Sequence, residues 1–99
     1  MQTDTYTWRG IVFMVAHGNA PKNRDLYRFE IEDVSPPAAH LPFDTPRYGC
    51  HYVCKLDLGI YPDFKSYLFG RLERDATEGL IRRNARIVEE SRQLRFDLT

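Results

Sequence analysis

The stretch Thr7-Trp8-Arg9-Gly10-Ile11-Val12-Phe13-Met14-Val15-Ala16 decides how this chain is read. Its β-branched and aromatic residues suit a strand, and it is apolar on both faces of a two-residue alternation. Trp8, Val12, Met14 and Ala16 fall on one side, and Ile11, Phe13 and Val15 on the other. A strand apolar on both sides belongs in the interior of a sheet. Read as one strand over residues 5–16, with residues 1–4 loose, it is the element that the other segments must cover.

Working outward, His17-Gly18-Asn19-Ala20-Pro21-Lys22-Asn23-Arg24 carries strong turn chemistry and ends the strand. Asp25 to Val34 then alternates, with Tyr27, Phe29 and Ile31 on one side and Arg28, Glu30 and Glu32 on the other. That is a strand with one wet face, joined to the first as a β-hairpin. Ser35 to Arg47 holds Pro36, Pro37, Pro42 and Pro46, which leave little room for regular structure. Tyr48 to Leu58 reads as a third strand, with Cys50, Tyr52, Cys54, Leu56 and Leu58 on one face and His51, Val53, Lys55 and Asp57 opposite. Asp63 then caps a helix whose apolar stripe is Phe64, Tyr67, Leu68 and Leu72, with Arg71 at its edge. Asp75-Ala76-Thr77-Glu78 resembles a capping box, with Asp75 as N-cap of a second helix. One face of that helix carries Leu80, Ile81, Ile87 and Val88 around Asn84. Leu94-Arg95-Phe96-Asp97-Leu98-Thr99 alternates and reads as a short fourth strand, able to return to its own sheet or pair across a two-fold axis. The expected architecture is one α+β domain over residues 1–99. Its antiparallel sheet has about four strands, in the chain order β-β-β-α-α-β, with two helices packed on one face.

The totals bound the function. At 99 residues, 42% hydrophobic and 28% charged, the chain is an ordinary globular domain. Its formal net charge is zero, so it has no global field to gather nucleic acid or an anionic membrane. All but three of its 14 basic residues are Arg. No apolar run approaches the ~20 residues that span a bilayer. With only Cys50 and Cys54 there is no disulfide framework, and the expected compartment is the cytoplasm.

The densest reactive cluster is Cys50-His51-Tyr52-Val53-Cys54, with His40 upstream. On a strand Cys50 and Cys54 lie ~13 Å apart and His51 faces away, which dissolves both a zinc site and a disulfide. The two cysteines read as buried, inert fillers. No nucleophile elbow or phosphate-binding glycine loop is present, so no metal and no cofactor is expected. Three function classes remain. The leading one is a non-catalytic binding or regulatory protein acting through protein–protein contact, possibly as a homodimer, with Leu41, Phe43, Arg82, Arg83 and Arg86 as contact residues. The second is a nucleic-acid-binding protein using the same arginines, which Glu78, Glu89 and Glu90 offset on that helix face. The third is a small enzyme built on His17, His40 or a cysteine. Asn84 needs a hydrogen-bond partner, either a backbone carbonyl of its own fold or a second subunit.

Overall fold

The computed structural model describes the backbone of residues 1–42 and 50–97 and the side chains of residues 1–42 and 50–93. The elements are β1 (Gln2–Trp8), β2 (Ile11–Asn19), β3 (Leu26–Ser35), β4 (Cys50–Cys54), α1 (Lys55–Leu58), α2 (Phe64–Asp75) and α3 (Glu78–Asp97). The four strands form an antiparallel sheet in the order β1-β2-β3-β4, with α2 and α3 against one face. The chain is therefore α+β as the pattern predicts, but its order is four strands followed by helices.

The largest departure falls in the deciding stretch. Residues 5–16 are not one strand. Arg9 and Gly10, with φ of 51° and 82°, reverse the chain between β1 and β2. Two consecutive positive φ values make the tight hairpin turn whose twist matches its strands. Gly10 takes this conformation freely, while Arg9 is held in it by its surroundings. The reversal pairs Trp8 with Ile11 and sets Asp4, Tyr6 and Trp8 on the same face as Val15, Phe13 and Ile11. Residues 2–4 are thus edge strand, not a loose end, because β2 gives their backbone a partner.

That face is the core. Ile11, Phe13, Val15 and Phe29 are fully buried and meet Leu68 and Leu72 of α2, with Ile87 and Val88 of α3 packed on the same cluster. Each such side chain contributes ~1.5–3 kcal/mol. Met14 pairs with Asp33 and Val15 with Ile31, so Glu32 is an extra residue, a bulge that returns Val34 to the core face. On the opposite face Val12 is 40% exposed, Tyr52 is 54% exposed, and no described helix covers them. β2 lies inside the sheet as its sequence demands, yet only one of its faces is covered by helices.

The third strand stops at Cys54, four residues before the expected end, because its partner β3 begins at Leu26, opposite Cys54. Without a neighbour the chain turns into α1, tied by the Lys55 N–H to the Asp25 carbonyl at 2.9 Å. Residues 48 and 49 lie outside the described residues. α2 begins as predicted: Asp63 accepts from the Ser66 N–H at 2.7 Å, and Phe64, Tyr67, Leu68 and Leu72 are buried. Two helices are present from Phe64 onward, as the pattern predicts. The second is capped by Thr77, whose Oγ1 accepts from the Leu80 N–H at 3.3 Å. Asp75 remains the last residue of α2 and pairs with Arg71 instead of capping.

The fourth strand predicted for residues 94–99 is absent from residues 94–97, which continue α3, and residues 98–99 lie outside the described residues. Extending a formed helix gains a backbone hydrogen bond per residue, whereas an isolated strand must first find an edge. Residues 94–97 therefore offer no strand edge for pairing across a two-fold axis. Asn84, 2% exposed, takes the intramolecular option: its amide donates to the His40 carbonyl at 2.6 Å and accepts from the His40 N–H at 3.2 Å. This pins the proline-containing segment to α3, with Ala39 buried beside it and Leu41 half-buried against the core.

Two glycine substitutions test this packing with opposite signs. A Cβ on Gly10 would stand 2.9 Å from Val88 Cγ1 at a positive φ, so Gly10→Ala should lose roughly 1–3 kcal/mol. Gly79, with nothing within 4 Å, should gain up to ~1 kcal/mol as Ala. Urea unfolding of both variants measures the pair.

Candidate functional site

The strongest polar constellation grows from β2. His17 lies on the core-facing side, 4% exposed, one register row from Val15. An imidazole there must have both ring nitrogens satisfied, and it does. Nε2 is 2.6 Å from Asp4 Oδ2 on β1, and Nδ1 is 2.5 Å from Tyr27 Oη on β3. The ring stacks on Phe64 of α2, centroids 4.2 Å apart and planes at 13°. An ionised carboxylate can only accept, so Nε2 carries the proton, while Nδ1 exchanges one hydrogen bond with the phenol. Three strands and a helix meet on this one side chain.

The electrostatics follow from the same contacts. The His17 hydrogen bond holds the Asp4 carboxyl below its ordinary 3.8, against a smaller opposing effect of burial. Burial, reinforced by Asp4, pushes Tyr6 up to about 12 and also raises Tyr27. A carboxylate, an imidazole and a phenol are thereby joined in one hydrogen-bonded relay, the arrangement of groups that acid–base chemistry requires.

Tyr27 also walls a concavity of about 440 Å³ with Asn19, Lys55, Leu58, Gly59, Tyr61, Pro62, Asp63 and Phe64. It lies where α1 and the turn into α2 wrap the end of the sheet. Lys55, Leu58 and Gly59 face it at helical spacing, which sends Leu56 and Ile60 outward. Those two are 83% and 78% exposed, and α1 buries no residue at all.

A second polar joint closes the other end of the sheet. Glu73 of α2 accepts from Trp8 Nε1 at 2.7 Å and from Arg9 at 2.9 Å. These bonds, Arg9 first, hold the Glu73 carboxyl below its ordinary 4.5. They also keep Arg9 in its left-handed turn.

The residues singled out by sequence are not gathered in one place. Arg82 pairs with Glu78 at 3.3 Å, and Arg83 and Arg86 are exposed on α3. Leu41 rests on the core, and Phe43 lies outside the described residues. Cys50 and Cys54 are free but half-buried, not core fillers, because β4's alternation puts them on the uncovered face. There Cys50 Sγ is 2.7 Å from Arg28 Nε, and Arg28 also pairs with Glu30. His51 lies on the opposite face, stacked on Phe29 at 4.8 Å, with its pKa lowered by burial and then by Arg71. No Cys–His pair is formed by these neighbours. Among the described residues no three His, Cys, Asp or Glu side chains gather to hold a metal ion, and no helix is long and apolar enough to cross a membrane. His17 was named by sequence, but Asp4 and Tyr27 were not, since only the hairpin register brings them to it. No known protein family, characterised protein or solved structure gives a significant match to the chain.

The two polar joints predict a definite acid limb. Asp4 and Glu73 both have depressed folded-state pKa values, so their stabilising contribution is present above the unfolded values of 3.8 and 4.5. It is lost as pH falls through the lower folded values. Urea midpoints followed from pH 6 down to about pH 2 should drop through this window. Asp4→Asn and Glu73→Gln should each flatten the slope.

Proposed function

We propose that this chain is a small non-catalytic binding protein that acts through protein–protein contact, in a reducing, cytoplasmic setting consistent with its two free cysteines. One observation carries the reading: Leu56 on α1 and Ile60 in the turn that follows it are almost wholly exposed, at a short helix with no fully buried residue. Single exposed apolar residues are common on any surface. Two aliphatic side chains near a concavity of mixed polar and aromatic lining form a patch of the kind that marks contact sites. The short helix is held on its inner side by Leu58, which packs against the core, so its geometry is fixed before any partner arrives. The arginines of α3 lie on a separate surface and supply at most a polar rim.

The test replaces both residues by Ser. Stability should stay within about ±0.5 kcal/mol, since neither side chain is buried. A photoreactive amino acid at position 56 should give a discrete cross-linked species in cells of the native host. Ile60→Ser in the same chain should suppress it. If position 56 yields no adduct, the contact reading is wrong.

A second reading, a small acid–base enzyme, is favoured by the Asp4–His17–Tyr27 relay and Tyr27's place in the pocket wall. It requires an activity that Tyr27→Phe abolishes while the fold persists. A panel of activated esters is the simplest screen, and turnover unchanged in Tyr27→Phe rejects it.

A further inference from the structure

We infer that the free edge of β1 pairs with the same edge of a second copy of this chain, antiparallel about a two-fold axis at Thr5, so that the two four-stranded sheets become one. β1 ends the sheet, and β2 is its one strand neighbour among the described residues. In a hairpin closed by a two-residue turn, the residues flanking the turn exchange both backbone bonds, and every second pair does the same. Trp8, Tyr6, Asp4 and Gln2 therefore bond to Ile11, Phe13, Val15 and His17. Thr3, Thr5 and Thr7 direct their backbone groups away from β2, and all are exposed. No backbone hydrogen bond from another described segment reaches them. Such an edge is a template for a further strand, and β1 has neither Pro nor Lys to blunt it. Its one charged residue, Asp4, turns to the core face and is bonded there by His17.

The strand's own sequence selects both the partner and the register. With the axis at Thr5, Thr5 faces its own copy and Thr3 faces the partner's Thr7, so all their outward backbone groups are bonded. Thr–Thr pairs then line the uncovered face of the sheet and support the strand pair. A slip of the register one way sets Asp4 against the partner's Asp4, and the opposite slip sets Thr3 against Arg9 of the partner's turn. On the helix side, the favoured register puts Tyr6 opposite the partner's Asp4. Lys65 lies over the Tyr6 and Phe69 rings, 5.9 and 5.6 Å from their centroids. It has no ion-pair partner among the described residues, and Asp63 feels its charge without pairing. The register carries each Lys65 toward the partner's Asp4, twice. The helices leave room for this. α2 touches Tyr6 through Phe69 on one side and Phe29 through Tyr67 on the other, so it lies above β2. Its copy stands about three strand spacings away, ~14 Å, beyond the ~8–10 Å of directly packed helices. The half-buried Tyr6 and Phe69 of both protomers fill the gap between them. The contact is confined to β1 and these α2 side chains, less than the ~20–30 residues per side of a standard interface, so its dissociation constant is roughly 10 μM or above.

Sedimentation velocity on the purified full chain, from about 10 μM to about 1 mM, tests the proposal. The expected result is a mass per particle rising from 11.6 kDa toward twice that value with concentration. The Thr3, Thr5 and Thr7 amides should gain protection from hydrogen exchange over the same range. Thr5→Pro, at an outward position where the hairpin itself loses no bond, should weaken association about tenfold or more. The Tyr6 and Phe13 amides should stay protected in that variant, showing that β1 and β2 remain paired. Thr5→Lys and Thr5→Glu should each weaken association by setting like charges across the axis. An equimolar mixture of the two should recover the dimer, because residue 5 faces residue 5 in this register alone. Leu56→Ser/Ile60→Ser should dimerise as the wild type does, so this inference and the contact reading fail separately. The proposal is overturned by a wild-type chain that stays monomeric throughout, or by association that survives both Thr5→Pro and Thr5→Lys. A charge-swapped mixture that stays monomeric, or association lost in Leu56→Ser/Ile60→Ser, overturns it as well.

Discussion

The chain reversal at Arg9–Gly10 is the constraint on which the rest of this structure depends. It converts an apolar run that could have been one central strand into two paired strands, and it puts Trp8 and Ile11 on the same side. Without it, β1 does not exist, Asp4 has no position near His17, and the core face loses Trp8 and Tyr6. The turn is not self-sufficient. Arg9 occupies a conformation that costs an L-residue ~1–2 kcal/mol, and Glu73 of α2 offsets that cost by binding Arg9 and Trp8 together. Local strain and tertiary contact therefore stabilise each other. Val88 of α3 packs directly over Gly10, which adds the second helix to the same joint.

From that reversal the polar interior follows. The register sets Asp4 beside Val15 and His17 opposite Phe29, within reach of Tyr27 on the next strand. Phe64, the first residue of α2, closes over the imidazole because Asp63 fixes where the helix starts. The turn between α1 and α2 is thereby held open as a shallow concavity instead of collapsing on the sheet. Two polar joints, Glu73 with the hairpin tip and His17 with Asp4 and Tyr27, fasten α2 at opposite ends. Between them the apolar cluster needs no polar partner. The surface left over is the α1 corner, where aliphatic side chains project without a role in the fold.

Much of this was legible in the residues. The α2 stripe, its Asp63 cap, the alternation of β3 and the demand of Asn84 for a partner all follow from periodicity and hydrogen-bond inventory, and all are found. What was not legible depended on pairing. Arg-Gly is a weaker turn signal than Asn-Gly, so the hairpin hid inside an apolar run. Leu56 and Leu58 continue the alternation of β4 but have no strand beside them, so they become helix. Leu94 to Asp97 alternates equally well, yet it follows a helix already formed. The Asp4–His17–Tyr27 relay was invisible because its members lie on three strands whose register no local pattern specifies. Residue type alone points to Leu41, Phe43 and the arginines of α3 as contact residues, whereas the exposure of Leu56 and Ile60 depends on the strand ending at Cys54.

The reversal itself is open to one direct measurement. Nuclear Overhauser spectroscopy on isotopically labelled protein reads which backbone protons lie within ~5 Å of each other. Cross-strand contacts should link Asp4 with Val15, Tyr6 with Phe13 and Thr7 with Val12, the pairs this register requires. A continuous strand would instead hold Tyr6 and Phe13 about 23 Å apart at ~3.3 Å per residue. Absence of those contacts, with extended backbone shifts running unbroken through Arg9 and Gly10, would contradict the account at its root.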